Sequence, residues 1–278
     1  MISGVTYGWP LAPFDRVHPV RAHFNDPRID GLVRAFHFGV DISGANGTAV
    51  HAVRAGVVHL QNPRAVAVTD GALTFGYWHV VPAVRSRQRV ARHQVIGHIE
   101  APWLHVHFAE SHGGEYDNPL RPGALTPWRD TTVPHVTRVT FEREGRALPS
   151  NAVSGPVDVV AEAHDDPPIP VPPPWNGLPV TPALLRWRVL QGERVVRRWH
   201  TPVDLGTRFW KQPDFERIYA PGTRQNHAGR PGLYRFYLGR TWSTRLLPDG
   251  PYVVEVEAAD VAGNATVRRT GLTLANEV

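Results

Sequence analysis

Short apolar runs, each closed by glycine or proline, recur along the whole chain, and no stretch keeps the 3.6-residue apolar period of a long amphipathic helix. From Thr48 the segment TAVHAVRAGVVHL alternates loosely around Val50, Val53, Val57 and Leu60, with Gly56 read as a turn between two short strands. Further runs follow at 66–68 (VAV), 75–81 (FGYWHVV), 93–99 (HQVIGHI) and 103–108 (WLHVHF). With 25 glycines and 27 prolines in 278 residues, uninterrupted helix has little room. The expectation is an all-β chain, with an antiparallel domain of short strands over roughly 1–125.

The second half repeats the pattern with longer strands. Residues 118–134 (NPLRPGALTPWRDTTVP) close the first domain, and alternation resumes at 136–142 and 157–163. The proline-dense 165–177 reads as an extended loop. Runs at 184–190 and 193–199, separated by Gln191 and Gly192, signal a hairpin, and 252–260 adds another strand. The segment 247–264 (LPDGPYVVEVEAADVAGN) resembles the closing hairpin of bacterial Ig-like modules. An Ig-like or fibronectin-like β-sandwich is expected over 133–278, after a first domain at 1–132. Residues 205–245 fit no strand ladder and read as an insertion in that sandwich.

Composition removes several classes of chemistry. There is no cysteine, so a disulfide scaffold, a thiolate nucleophile and a cysteine metal site are all excluded, and any metal must use histidine and carboxylate. No run approaches the ~18 apolar residues of a membrane span, and the first residues lack a charged segment followed by an apolar one, so no leader is expected in this sequence. A formal charge of +5 with pI ≈ 9.9 favours adsorption to an anionic polymer. The arginines are scattered, Arg85, Arg87, Arg89 and Arg92 forming the one loose cluster, and no nucleic-acid-binding signature accompanies them. Nucleic acid is therefore not an expected partner.

Most of the fifteen histidines need no special role. Four stand in patterns. His37 and Asp41 lie four residues apart across Gly39, and Gly39, Val40 and Ser43-Gly44 disfavour a helix there. In an extended segment both side chains still share a face. His105 and His107 alternate with Leu104, Val106 and Phe108, so strand periodicity sends both imidazoles to one face, their Cα atoms roughly 6.6 Å apart at ~3.3 Å per residue. His79 follows Tyr77-Trp78 and by itself specifies nothing.

Taken in order, HFGVD (37–41), GTAVHAVRAGVV (47–58), YWH (77–79), VIG (95–97) and HVHF (105–108) resemble the LytM/lysostaphin-like zinc metallopeptidases, over about 85 residues. The resemblance implies one zinc per chain, held by His37, Asp41 and His107, with catalytic roles for His105 and His79. Three protein ligands with a fourth position open to water is the catalytic zinc pattern. It implies hydrolysis of peptide bonds in peptidoglycan, a location outside the cell or in its envelope, and peptidoglycan peptides, with anionic wall polymer, as partners. The alternative within the family is a non-catalytic wall-binding or enzyme-activating module. Two departures stand out: a shorter, bulkier IEAPW (99–103) before the H-x-H pair, with Trp103 read as a core residue, and an acidic residue displaced to Glu110 behind Ala109. Because all five site residues precede position 110, residues 1–132 are expected to suffice for the chemistry.

Overall fold

The computed structural model describes residues 6–276. The expected runs become antiparallel strands. In the first half, His105–His112 lies between Val40–Ser43 and Leu73–Trp78 in a large sheet that continues through Ala65–Asp70, Gly56–Asn62 and Arg89–Val90, with Val20–Ala22 on the far side of Val40–Ser43. A small sheet of Ala49–His51, Val95–Ile99 and Val80–Pro82 stands beside it. Alternation dictates the packing: Val106 and Phe108 are fully buried with Tyr7, Ile42, Phe75 and Tyr77, and the opposite face carries His105 and His107.

Two local expectations change. Gly56 opens a strand rather than making the turn, because a Cβ there would collide with the Thr69 carbonyl oxygen of the neighbouring strand. The run 75–81 is not one strand: His79, at φ 65°, ends Leu73–Trp78 and sends Val80–Pro82 into the small sheet. Leu104, at φ 54°, likewise starts the strand at His105.

The second half is a sandwich of two four-stranded sheets. One is ordered Arg146–Ala147, His135–Arg143, Pro156–His164, Arg235–Ser243; the other Arg194–Asp204, Leu184–Gln191, Gly250–Ala259, Ala265–Leu274. Between them Trp187, Val189, Val159, Phe236 and Val254 are completely buried. Gln191 pairs with Arg194 around a tight loop in which Gly192 takes φ 56°. The insertion is smaller than expected, since Arg235–Ser243 is an integral strand paired with Pro156–His164. Its alternation is masked because Gly239 replaces an inward side chain: the Trp187 ring fills that space, and a Cβ would lie 2.7 Å from it. The remaining 205–234 holds two short helical turns, Gln212–Asp214 and Phe215–Ile218. Among the described residues no helix is long and apolar enough to cross a membrane.

The hairpin Pro27–Asp30/Val33–Phe36 lies early in the sequence but packs on the sandwich. Phe36 is part of the sandwich core, its ring 5.4 Å from Phe215 and 5.7 Å from Tyr219. Just before it, buried Asn25 donates from Nδ2 to the Leu205 and Arg208 carbonyls at 2.9 and 2.8 Å and accepts from the Trp210 N–H at 3.1 Å, while the Tyr219 hydroxyl donates to its carbonyl. Residues 1–132 expressed alone leave Phe36 and these backbone groups exposed. The fragment is therefore expected to melt well below the whole chain and to hold metal more weakly, contrary to the sufficiency the motif positions suggested. Melting curves and metal content of fragment and whole chain, measured together, decide it.

Candidate metal centre

Asp41 and His107 are direct cross-strand partners in the antiparallel pair of Val40–Ser43 and His105–His112. His37 enters from the loop ahead of Val40. Its backbone N–H donates to the Asp26 carbonyl at 2.9 Å, and its Nδ1 donates to the His23 carbonyl at 2.7 Å, which leaves the Nε2 lone pair facing inward. Three atoms converge: His37 Nε2 lies 3.0 Å from Asp41 Oδ1 and 2.7 Å from His107 Nδ1, and the last two are 3.1 Å apart. All three residues are buried.

Gly39 makes the approach possible, because a Cβ there would collide with the Phe108 carbonyl oxygen and sit 3.0 Å from His107 Nε2. Gly39→Ala is accordingly expected to push His37 and Asp41 off His107. Zinc affinity should drop by tenfold or more, and a competition titration with a chromogenic chelator measures it.

The electrostatics suit a cation. Burial pushes His37 down to about 3, with Arg28 adding to the effect, so it is neutral at neutral pH. Burial also lowers His107. For Asp41 burial works the other way, yet His37, His105 and Arg21 around it hold its carboxyl well below the usual range. Two neutral imidazoles and an ionised carboxylate thus point lone pairs at one another. Arg21 and Arg28 take the other carboxylate oxygen, Oδ2, at 3.0 and 3.3 Å, so that Oδ1 is left to the cluster. Two nitrogens and one oxygen, with second-layer partners on His37 and Asp41, fit a catalytic zinc.

The residues expected to act on substrate stand beside this triad. His105 donates from Nδ1 to the Trp103 carbonyl at 2.6 Å, so its Nε2 carries the lone pair; that atom lies 3.5 Å from Asp41 Oδ1. Burial lowers His105 to about 4, and burial with the neighbouring His105 lowers His79 to about 3. The His79 ring lies 4.6 Å from that of His105 and stacks on Trp103 at 4.1 Å. Trp103 is not a core residue: it is 41% exposed and forms a wall beside His79. Glu110, on the core face of its strand, is fully buried and bound at both oxygens by Arg121, each at 2.7 Å.

Arg21 is a residue of the candidate site that motif reasoning missed. Its Nη2 lies 3.1 Å from His105 Nε2 as well as 3.0 Å from Asp41 Oδ2, and its guanidinium lies 3.8 Å from the Trp175 ring centre. Trp175 belongs to the proline-dense loop of the sandwich, so the second half of the chain forms one side of the site. With Arg28, Gln225 and Asn226 these residues line a small cleft next to the triad. Arg21 has no motif around it, and its place follows only from the pairing of Val20–Ala22 with Val40–Ser43.

No protein-family model and no curated protein matches this chain. Among solved structures it is similar to Csd3 of Helicobacter pylori, with 22% identity over 44% of this chain and 36% of that one and a TM-score of 0.37. It is similar also to a zinc-containing peptidase of Vibrio cholerae, with 18% identity, coverage of 44% and 41% and a TM-score of 0.36. A third likeness is to the catalytic domain, in a point variant, of the prophage-encoded M23 protein EnpA from Enterococcus faecalis, with 23% identity, coverage of 41% and 94% and a TM-score of 0.31. The chain spans less than half the length of the first two of these proteins.

Proposed function

We propose that this chain is a zinc-dependent endopeptidase that hydrolyses peptide bonds in bacterial peptidoglycan, in the cell envelope or outside the cell, and that its second half is an Ig-like module. The observation that carries the reading is the convergence of His37 Nε2, Asp41 Oδ1 and His107 Nδ1 beside the unprotonated Nε2 of His105. Zinc, when bound there, lowers the pKa of a water and polarises the scissile carbonyl.

The chain's own residues do the rest. His105 accepts the water's proton at Nε2, and its low pKa keeps that atom available at neutral pH. His79, neutral and steadied by Trp103, donates an N–H to the developing oxyanion. Arg21 fixes Asp41 and, at rest, occupies the His105 lone pair, from which incoming water displaces it. The exposed ring of Trp103 and the Trp175 side of the cleft border the path of the peptide.

For the sandwich, the strand order supports an Ig-like reading. Counting its long strands in sequence, the first, second and fifth share one sheet and the fourth, third, sixth and seventh the other. Its basic charge suits attachment to an anionic wall polymer.

The test is digestion of purified peptidoglycan with and without a chelator. New amine termini that disappear on chelation and return with zinc, together with about one zinc per chain by elemental analysis, are the expected result. A zinc-loaded chain that releases no new amine termini is a binding module and not an enzyme.

A further inference from the structure

Away from the zinc centre, three acidic side chains from distant parts of the chain meet where the first half joins the sandwich. Asp130 lies in the irregular segment between the halves. Asp165 follows Pro156–His164, its backbone N–H and carbonyl both paired with Val180 at 2.8 Å. Asp260 starts the turn between Gly250–Ala259 and Ala265–Leu274. One oxygen from each lies within 4.8 Å of one from each of the others, and the three residues are only 7%, 0% and 8% exposed.

The hydrogen bonding around them is incomplete in a telling way. Asp130 Oδ1 accepts from the Thr132 N–H and hydroxyl, Asp165 Oδ1 from the Asp166 N–H, and both Asp260 oxygens from Asn264. Asp130 Oδ2 and Asp165 Oδ2 are buried with no partner. No lysine or arginine forms an ion pair with any of the three among the described residues, whereas buried Glu110 has Arg121. The basic group that acts on Asp130 is His23. Three carboxylates cannot stay buried and charged without a counter-charge, and burial together with Asp130 pushes the Asp165 carboxyl up to about 8.

We propose that Asp130, Asp165 and Asp260 form a calcium site that fastens the connecting segment to the sandwich. The donor set is oxygen only, which selects a hard cation over zinc or copper. A set of carboxylates held by the chain itself suits the flexible, carboxylate-rich shell of calcium more readily than magnesium, which keeps several waters in a tight octahedron. The asparagine that caps Asp260 also donates from Nδ2 to the Asp130 carbonyl at 3.1 Å, which holds the turn and the connecting segment in register for the ion.

The experiment uses the full chain carrying His107→Ala, so that zinc at the catalytic centre does not confuse the readout and the result is independent of the proposed activity. After treatment with a calcium chelator, calcium at a hundredfold excess over its Kd should raise the melting temperature by roughly 5–10 °C. Terbium should show luminescence sensitised by Trp128, two residues before Asp130 in the chain, and be displaced by calcium. Asp165→Asn and Asp260→Asn should each abolish both responses. If either variant fails to fold, terbium binding and its displacement from the parent chain still decide. A melting temperature indifferent to millimolar calcium overturns the proposal, as does a calcium response that survives Asp165→Asn. So does stability that rises only as the pH falls through about 8, because a shared proton would then serve as the counter-charge.

Discussion

His105→Ala should keep its zinc and lose peptide hydrolysis by about 10²–10⁴-fold, whereas His107→Ala should lose metal and activity together. The two imidazoles share a strand face, yet their ring nitrogens face different partners. His107 directs Nδ1 at His37 and Asp41 at 2.7 and 3.1 Å. His105 uses Nδ1 on the Trp103 carbonyl and keeps Nε2 for a proton. Elemental analysis and hydrolysis of a soluble peptide, run side by side on both variants, separate ligand from base. The reverse outcome, zinc lost with His105 and kept with His107, exchanges their roles. Full activity and metal in both variants removes the site altogether.

The second large effect is on stability. Glu110 faces the core between Arg121, which binds both of its oxygens, and Tyr7, whose hydroxyl donates at 2.5 Å. Arg121→Ala leaves a fully buried carboxylate with one donor. The cost should be about 3 kcal/mol, toward the lower end for breaking a buried pair because the Arg121 side chain is 28% exposed and water can partly replace it. Glu110→Gln added to Arg121→Ala should recover part of the loss by removing the stranded charge. Denaturant unfolding of the two variants beside the parent chain measures both, and a double variant no more stable than Arg121→Ala would mean that packing, not charge, is lost.

Much of this was legible in the residues. Alternation located most of the long strands and put His37 with Asp41, and His105 with His107, on shared faces, while the choice of His37, Asp41 and His107 as the converging set came from the family resemblance. Period 2 treats His105 and His107 alike, and only the register of the paired strands places Asp41 opposite His107. Features set by long-range packing were hidden. Arg235–Ser243 lost its pattern to a glycine that admits the Trp187 ring. Trp103 looked like a core residue because hydrophobicity does not record that Leu104, at positive φ, turns the chain just before the strand. Arg21 and Trp175, 154 positions apart by their numbers, meet only through tertiary structure. The cluster of Asp130, Asp165 and Asp260 has no local spacing at all.

The docking of residues 23–36 on the sandwich also has a consequence during synthesis. His37 is tied through its backbone to Asp26, and neighbouring Asn25 is held by Leu205, Arg208, Trp210 and Tyr219, about 180 to 194 residues further on. Such contacts form late, since the ribosome must deliver the later partner first. In a nascent chain the position of His37, the first of the proposed ligands, is therefore fully fixed only once the sandwich has emerged. Ribosome-bound chains stalled before 205 should bind zinc more weakly than chains released at full length, which would delay the proposed activity until synthesis is complete.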